Sequence, residues 1–389
     1  MSEDRSMAQL LEAARGLVPI VREHADQGEH ERRLPEAVAE QFRRTGIYRM
    51  CRPKELGGLE ADPLTVIHVV ETLAAADGAA GWCAMISGAG AIFEGFVSER
   101  GGREMFSDPR VVSGGVIAPT GRAVEVDGGF RASGRWSVAS GCHQCDFLGG
   151  TCVLFDGDAP RMGPGGMPAV VVPFFAKSDF EIIDTWTVAG LRGTGSHDFE
   201  VHDVFVPAHR SIRMPPPASP YPGKLYQFPF FGFLAMVVSA AALGVARSAL
   251  DELAQVARRK TPFGMMSSLA TRPSAQIAMS EAEAAVGSAR AFLVHAASDI
   301  WEAILAGRPV SVAQRATLRI AATNAAVSCA RATDAVYTAG GASALYSRSP
   351  LQRCLRDAHA ITQHYAVAPY NHELFGKILL GVEPDAPTL

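Results

Sequence analysis

The chain has few charged residues for its length. Asp, Glu, Lys and Arg make up 20% of its 389 residues, against about 25% in an average domain. Lys and Arg number 36 against 40 Asp and Glu, giving a net charge of −4. No cluster of Lys and Arg reaches the size that marks a nucleic-acid patch. The composition therefore argues against nucleic acid as a partner, and its 48% hydrophobic residues predict large buried surfaces.

The sequence also lacks the marks of a secreted protein. The first segment, MSEDRSMAQLL, carries acidic residues early and has no apolar stretch of the kind found in signal peptides. The seven cysteines are odd in number and scattered, which is typical of reduced thiols. We expect a cytoplasmic protein without a disulfide framework.

Several common catalytic signatures are missing. The string GLRGTGSHDFEV contains a Gly-x-Gly, but it lies between strand-like runs, whereas a dinucleotide loop must leave a strand and open a helix. Cys142 and Cys145 have no second ligand pair at zinc-site spacing. The hydrolase strings G-x-S-x-G and H-E-x-x-H do not occur. We therefore expect neither a nicotinamide site nor a metal site.

One long apolar run stands out at residues 225–246, without a charge between Lys224 and Arg247. A membrane span needs about 20 apolar residues, so the length suffices. The run is rich in Ala and contains Pro229, Gly232 and Gly244, a composition that also suits the core helix of a bundle. We predict a buried helix.

Hydrophobic periodicity divides the chain into three parts. Residues 1–110 show helical spacing, and Asp62-Pro63 provides an N-cap and first-turn proline. Residues 111–214 alternate with a period of two, which predicts a β domain. The Pro-rich segment 215–223 is typical of a linker, and long Ala-rich helical stretches follow at 228–256, 274–306, 312–338 and from about 350. The third part, 215–389, is therefore predicted to be a helical bundle.

Five strings carry a resemblance to a known family. They are GGLEADPL at 57–64, GWCAMISG at 81–88, GRWSVASGC at 134–142, GLRGTGS followed by DVFVP, and LQRCLRDAHA at 351–360. Over nearly its whole length the chain resembles the acyl-CoA dehydrogenase superfamily. Within it, the chain is similar to the oxygenase components of two-component flavin-dependent monooxygenases, such as those that hydroxylate a steroid ring or hydroxyphenylacetate.

The resemblance implies an α+β fold with an N-terminal helical domain, a central β-barrel or β-sandwich domain and a C-terminal four-helix bundle, assembled as a homotetramer. It also implies reduced FMN or FAD delivered by a separate flavin reductase, and hydroxylation of an aromatic or heteroaromatic substrate by O₂ through a C4a-hydroperoxyflavin. A partner reductase agrees with the lack of a nicotinamide loop. The sequence does not decide between FMN and FAD or name the substrate.

Departures from the dehydrogenase pattern favour the oxygenase. The residue eight positions after Asp357, where many dehydrogenases have their catalytic carboxylate, is Tyr365. The alternative carboxylate of other dehydrogenases would lie in the uncharged string 243–246, and Glu373 is displaced by about two helical turns. Without a carboxylate base, removal of an α-proton has no agent. A dehydrogenase with another base, an oxygenase acting on an amine or sulfur, and a catalytically silent flavin-fold protein remain alternatives.

The resemblance assigns catalytic roles to two residues. His359, two positions after Asp357, matches the monooxygenase histidine, whose ordinary pKa of about 6.5 suits proton transfer near pH 7. Ser140 matches a serine beside the flavin ring. Four other histidines lie near the motifs, and the sequence does not choose among them: His143, His197, His202 and His364.

Further positions are expected to hold the cofactor or substrate. Trp136 and Ala118, together with Ser140, match positions beside the flavin, and Trp82 is expected to line the substrate cavity. The string ARRKTPFG resembles one that reaches the flavin of a neighbouring subunit, which makes Phe263 and either Arg259 or Lys260 candidate contacts of the flavin tail. The paired glycines Gly340 and Gly341 are expected to let the backbone approach the cofactor.

Overall fold

The first hundred residues form a layer of helices. The structure is a computed structural model that describes residues 2–163, 166–264 and 266–382, with side chains described from Met7 onward. The helices are α1 (Ser2–Glu23), α2 (Ala25–Glu31), α3 (Glu36–Thr45), α4 (Pro63–Ala76), α5 (Gly78–Cys83) and α6 (Glu99–Phe106). As predicted, Asp62 caps α4, accepting hydrogen bonds from the backbone N–H groups of Leu64 and Thr65. After α5 the chain continues as a π-helical segment (Ala84–Ala89) and a 3₁₀ segment (Gly90–Phe96).

A mixed sheet follows. Its strands are β1 (Ser113–Val126), β2 (Gly129–Ala139), β3 (Phe147–Asp156), β4 (Ala159–Pro160), β5 (Val170–Ala176), β6 (Glu181–Ile183), β7 (His197–Pro207) and β8 (Ser211–Met214). They run in the order β6-β7-β2-β1-β3-β5-β8, with β4 paired to β3. The pairing of β1 with β3 is parallel and the other pairings are antiparallel. All eight of these strands therefore belong to one continuous sheet.

The last part is a helical bundle. Its helices are α7 (Phe230–Arg259), α8 (Pro273–Leu305), α9 (Val312–Gly340) and α10 (Pro350–Thr362), followed by the shorter α11 (Asn371–Leu379). Local sequence sets the starts of three of them: Pro273 and Pro350 occupy first-turn positions, and Ser311 forms a capping box with Gln314 ahead of α9. The helices α7, α8, α9 and α10 pack on one another, and the expected α+β fold with a C-terminal four-helix bundle is confirmed.

The apolar run at 225–246 lies mostly in α7. Among the described residues, α7 is the one helix long and apolar enough to cross a membrane, and 83% of its most apolar window is buried inside the protein. It packs against α4, α9 and α10. The predicted buried helix is therefore present, and it begins at Phe230.

Candidate active site

The end of β2 leaves the regular sheet and turns a serine toward the helices. The pairing of β2 with β7 changes register between Trp136 and Ala139. Within this bulge Val138 has φ +65°, and the Ser140 N–H donates to the Val138 carbonyl at 3.0 Å. A β-branched residue at positive φ is strained, and such strain concentrates at functional sites. The bulge places Ser140 at the junction of the sheet with α5.

A chain of hydrogen bonds starts at this serine. The Trp82 indole N–H donates to Ser140 Oγ at 3.0 Å, and Ser140 Oγ lies 2.6 Å from Ser196 Oγ. Ser196 Oγ is in turn 2.6 Å from Thr194 Oγ1, which donates to the Leu191 carbonyl at 2.8 Å. Four of these groups are buried side chains. The motif GLRGTGS thus supplies two hydroxyls, those of Thr194 and Ser196, that orient the Ser140 hydroxyl.

The direction of this chain is fixed by its ends. The Trp82 indole can only donate, and the Leu191 carbonyl can only accept. All four bonds form together only when Ser140 donates to Ser196 and Ser196 donates to Thr194. Ser140 Oγ therefore has a lone pair, and no hydrogen, to offer to a molecule bound beside it.

His364 joins this group from the segment after α10. Its ring meets the Trp82 ring edge to face, with centroids 5.7 Å apart. The Ala366 N–H donates to His364 Nδ1 at 3.2 Å, which places the proton of the neutral ring on Nε2. Burial, together with the Arg319 guanidinium, lowers the pKa of His364 to about 4. His364 is therefore neutral near pH 7.

An apolar cavity begins one helical turn along the chain from Trp82, although Trp82, Ser140 and His364 do not line it. It lies between the π-helical segment, strands β1, β3 and β5, and α7, and contains about 680 Å³ of empty space, part of it open to solvent. Its lining residues are Met85, Ile86, Gly90, Phe93, Ser113, Gly114, Gly115, Val116, Ile117, Gly149, Thr151, Val172, Phe174, Met214, Leu234 and Val237. Met85 lies about one helical turn beyond Trp82. Trp82 in α5 is therefore connected to the cavity by the π-helical segment that directly follows α5.

A second, cationic cavity lies at the far end of the bundle. It holds about 1620 Å³ of empty space, part of it open solvent, and its lining includes Lys260, Arg272 and Arg331. Lys260 Nζ donates to the Gly340 carbonyl at 2.7 Å. Gly341 has φ +60°, a conformation that favours glycine, and a Cβ added there would lie in ordinary contact with Lys260 Nζ, at 3.5 Å. Three cations suit a phosphate-bearing ligand.

The structure places His359 beside this second cavity. His359 Nε2 lies 2.8 Å from a carboxylate oxygen of Asp334, which lines the cationic cavity, and the two side chains are 54% and 48% exposed. No described contact joins His359 to Ser140 or Trp82. The two residues predicted to be catalytic are therefore not brought together within one chain, and the histidine that meets Trp82 is His364.

Other residues expected near the flavin tail also gather here. Phe263 lines the cationic cavity and is fully exposed, and Gly341 lines it as well. Arg259 instead donates to the backbone carbonyl and side chain of Gln255 on its own helix. Between the two cations that the sequence left open, Lys260 is therefore the one that faces the cavity.

Trp136 belongs to the core of the β domain. Its side chain is fully buried, its indole N–H donates to the Thr151 carbonyl at 2.8 Å, and its ring stacks on Phe199 with centroids 4.8 Å apart. Three glycines leave room for the ring, since an added Cβ would approach it within 2.9 Å: Gly121, Gly134 and Gly150. The Trp136 ring therefore has no open face in this chain with which to make the expected contact with the cofactor.

Ala118 occupies an exposed part of β1. The pairing of β1 with β3 is interrupted between Val116 and Gly121, so residues 117–120 have no ladder partner among the described strands. Ala118 itself is exposed. The backbone here is open to a ligand, as the cofactor-binding expectation requires.

The Arg356-Asp357 pair fastens the bundle to the β domain. A buried carboxylate oxygen of Asp357 accepts a hydrogen bond from the Leu191 N–H at 2.6 Å. A Cβ on Gly190 would lie 2.2 Å from the Arg356 carbonyl oxygen, so only glycine permits this approach. The pair therefore supports the loop that carries Thr194 and Ser196.

The structure brings no carboxylate to either dehydrogenase base position. Tyr365 is 38% exposed beside His364. Glu373 forms an exposed ion pair with Lys377 at 2.8 Å. Residues 243–246 are buried in α7. Among the described residues, none that lines the apolar cavity is acidic.

Sequence reasoning missed several members of the site. Ser196 and Thr194 lay in a quoted motif, but their contact with Ser140 depends on how β7 lies beside β2. His364 was one of four histidines left unranked. Ser113, a polar residue in the apolar cavity, carried no signal beyond its position in a strand.

Comparisons with known proteins identify the family of this chain. Family models for the acyl-CoA dehydrogenase N-terminal and C-terminal domains match residues 7–104 and 236–369. An indole-3-acetate monooxygenase from Pseudomonas putida is 35% identical, covering 96% of this chain and 94% of that protein. The oxygenase subunit HsaA of a flavin-dependent monooxygenase from Mycobacterium tuberculosis is 30% identical, with 98% of both chains covered.

A solved structure extends the likeness to three dimensions. The crystal structure of the 3-HSA hydroxylase from Rhodococcus sp. RHA1 matches with a TM-score of 0.90 and 27% identity, covering 98% of this chain and 99% of the other. The fold and the resemblance expected from the five motifs are thereby confirmed.

Proposed function

Since this chain belongs to the acyl-CoA dehydrogenase family and its relatives are flavin-dependent monooxygenases, we propose that its two cavities hold a reduced flavin and an aromatic substrate to be hydroxylated. The chain is a flavin-dependent monooxygenase oxygenase component. The observation that carries the finer proposal is the group of Trp82, Ser140 and His364, together with an apolar cavity lined by Met85, about one helical turn from Trp82.

Two separate sets of residues fit the two halves of a flavin nucleotide, the ring and the phosphate. The unpaired backbone at 117–120 and the Ser140 hydroxyl suit the polar edge of an isoalloxazine ring. The cationic cavity with Lys260 and the close backbone of Gly341 suits a phosphate. Bound reduced flavin supplies the electrons that activate O₂ for transfer of one oxygen atom to the substrate.

The two halves lie on different parts of one chain. No described contact connects the cationic cavity with Ser140 or Trp82. We therefore propose that each cationic half-site serves the flavin of another copy in a homotetramer. The full exposure of the apolar side chain of Phe263 supports an intersubunit position.

Ser140, Trp82 and His364 have distinct proposed roles. Ser140 offers a lone pair to an N–H or O–H of the bound cofactor, and Trp82 fixes the orientation of the serine. His364, with its proton on Nε2, donates a hydrogen bond toward the reacting oxygen or the substrate. A neutral donor of this kind adds no buried charge to the site.

The apolar cavity keeps water away from the reaction. Most of its lining side chains are hydrocarbon, sulfur-bearing or aromatic. Exclusion of water prevents loss of activated oxygen as hydrogen peroxide and strengthens each remaining polar contact. A separate flavin reductase is the proposed source of the reduced cofactor.

Incorporation of ¹⁸O tests the function. The full-length protein is mixed with a flavin reductase, NADH, FMN or FAD and ¹⁸O₂ over a panel of phenols and indoles. We expect one ¹⁸O atom in the product.

The sequence motif favours His359 and the geometry favours His364. The variants His364→Asn and His359→Asn, together with Ser140→Ala, decide which histidine takes part in the reaction.

Loss of a positioned donor typically lowers turnover by about 100-fold. For His364→Asn we expect such a loss of turnover, with more hydrogen peroxide formed per O₂ consumed. For His359→Asn we expect the fraction of consumed O₂ that gives hydroxylated product to stay unchanged. Absence of ¹⁸O in every product, together with anaerobic reduction of bound flavin by an acyl-CoA thioester, would show a dehydrogenase and overturn the proposal.

A further inference from the structure

The side-chain hydroxyls of the apolar cavity have a common feature. Two side-chain hydroxyls line it, those of Ser113 and Thr151. Ser113 Oγ donates to a Glu94 carboxylate oxygen at 2.7 Å, and Thr151 Oγ1 donates to the Val116 carbonyl at 2.8 Å. Both hydroxyl hydrogens are therefore used inside the protein, and only lone pairs are left for a ligand.

The acceptor of Ser113 is held as a carboxylate by a buried ion pair. Arg52 Nε lies 2.5 Å from Glu94, and both side chains are almost fully buried. Arg52 also donates to the Val111 carbonyl at 2.7 Å, and its guanidinium lies over the Phe106 ring, 4.7 Å from its centroid. An ionised carboxylate can only accept, so the direction of the Ser113 hydrogen bond is fixed.

The cavity contains no charge to match a charged ligand. None of its described lining residues is Lys, Arg, His, Asp or Glu. Arg52, the cation behind Ser113, bonds to Glu94 and Val111 through Nε and Nη2, and its third nitrogen, Nη1, is buried without a partner among the described residues and has almost no surface exposed to the cavity. A carboxylate buried in this space would lose its hydration without gaining a partner, which is strongly unfavourable.

We propose that the apolar cavity binds an uncharged, flat aromatic molecule with an N–H or O–H group, of the indole or phenol class, and rejects analogues that carry a carboxylate there. The N–H or O–H donates to Ser113 Oγ or Thr151 Oγ1. This inference rests on the proposed function, of which it names the substrate class. It separates this chain from its relative that acts on indole-3-acetate, although the two are 35% identical.

Gly90 offers a way to test the location. It lines the cavity in a helical conformation, and a Cβ added there would meet no atom within 4 Å. A Cβ at Gly90 therefore enters open space, and we expect a larger side chain there to extend into the cavity. Gly287 on α8 is a matched control, because its added Cβ also meets nothing and it lies outside the cavity.

The test is equilibrium binding to the full-length protein at pH 7, measured by calorimetry. The ligands are indole, 1-methylindole, 3-methylindole and indole-3-acetate. One hydrogen bond is worth about 0.5–1.5 kcal/mol, so indole should bind about 2- to 10-fold more tightly than 1-methylindole. We expect 3-methylindole to bind at least about 10-fold more tightly than indole-3-acetate, because only the latter must bury a charge.

Variants then localise the effect. Ser113→Ala should reduce the preference for indole over 1-methylindole to within about twofold, and Thr151→Val tests the second acceptor in the same way. Gly90→Leu should abolish binding of the bicyclic ligands, whereas Gly287→Leu should not. The ligand series on the unaltered protein is decisive even where a variant fails to fold.

Three results would overturn the inference. They are equal affinity for indole-3-acetate and 3-methylindole, equal affinity for indole and 1-methylindole, and no binding of any of the four ligands at millimolar concentration. An ¹⁸O assay on the same ligands separates the two proposals. If the binding series holds and no oxygen is incorporated, the binding site stands and the proposed function fails.

Discussion

The hydroxyl oxygens of Ser140 and Ser196 lie 2.6 Å apart, in a hydrogen-bonded chain that permits only one direction of donation. Ser140 is thereby left as an acceptor toward the proposed flavin. Reduced flavin carries an N–H at N5, whereas the oxidised ring has an unprotonated nitrogen there. The arrangement therefore favours the reduced cofactor over the oxidised one.

Removing Ser196 tests this preference. In Ser196→Ala the Ser140 hydrogen is released and can serve the oxidised ring, so the ratio of the Kd for oxidised flavin to the Kd for reduced flavin should fall by about 2- to 10-fold. The ratio is measured by fluorescence titration in air and by anaerobic titration.

Two further variants check the cause. Ser196→Thr keeps a hydroxyl and should retain most of the ratio of the two Kd values. Ser87→Ala is the control, because it removes a buried serine that does not belong to the hydrogen-bonded chain. An unchanged ratio in Ser196→Ala would mean that the direction of the chain does not set the cofactor preference.

The sequence predicts the helical frame well because its signals are local. The prolines at 273 and 350, the Ser311 capping box and the Asp62 cap each act within one turn, and the helices begin where these residues indicate. The long apolar run likewise predicts the burial of α7 from composition alone. These features need no knowledge of distant parts of the chain.

The site is harder to predict because its contacts are not local. His359 and His364 are five residues apart, which on a regular helix would point them about 140° apart. Moreover α10 ends at Thr362, so helical spacing does not extend to His364. Which histidine meets Trp82 depends on how the end of the bundle lies against α5, and the sequence pattern does not contain that information.

His364 should make stability depend on pH. Burial and Arg319 lower its folded pKa to about 4, while an unfolded histidine has a pKa of about 6.5. Between these values the unfolded chain binds a proton that the folded chain does not, so the contribution of His364 to the free energy of unfolding falls as the pH drops from 6.5 to 4. One such proton contributes a slope of at most about 1.4 kcal/mol per pH unit.

Urea unfolding across pH 4 to 7 measures this slope. His364→Asn cannot take up the proton, so the free energy of unfolding of the unaltered protein minus that of His364→Asn should fall as the pH drops from 6.5 to 4. His359→Asn, at an exposed pair, should leave the slope unchanged. The opposite result, with the slope lost only in the His359 variant, contradicts the assignment to His364.

Lys260 should distinguish phosphorylated from unphosphorylated flavin. It lines the cationic cavity, whereas Arg259 donates to Gln255 on its own helix. A hydrogen bond to a charged group is worth about 1.5–3 kcal/mol, so Lys260→Met should weaken binding of reduced FMN by about tenfold or more. Binding of reduced riboflavin, which has no phosphate, should change little.

Arg259→Met is the matched control and should leave both affinities unchanged. Light scattering on each variant shows whether the assembly is intact. If Arg259→Met weakens FMN binding and Lys260→Met does not, the phosphate is held by the other cation.

Asp357 should affect stability with the opposite sign to His364. Burial, followed by the nearby Asp77 carboxylate, raises the pKa of Asp357 to about 7, although the Leu191 N–H acts in the other direction. An unfolded aspartate has a pKa of about 3.9. The folded chain therefore keeps a proton that the unfolded chain loses, and this stabilising contribution disappears as the pH rises from 4 through 7.

Asp357→Asn isolates the effect, because the amide oxygen can still accept from the Leu191 N–H but does not titrate. The free energy of unfolding of the unaltered protein minus that of Asp357→Asn should therefore fall as the pH rises from 4 to 7, and the opposite contribution of His364 cancels from this difference. Asp334→Asn, at the exposed His359 pair, is the control. Parallel profiles for Asp357→Asn and the unaltered protein would show that Asp357 is already ionised at pH 4, and that its buried carboxylate is stabilised by the Leu191 loop more strongly than burial opposes it.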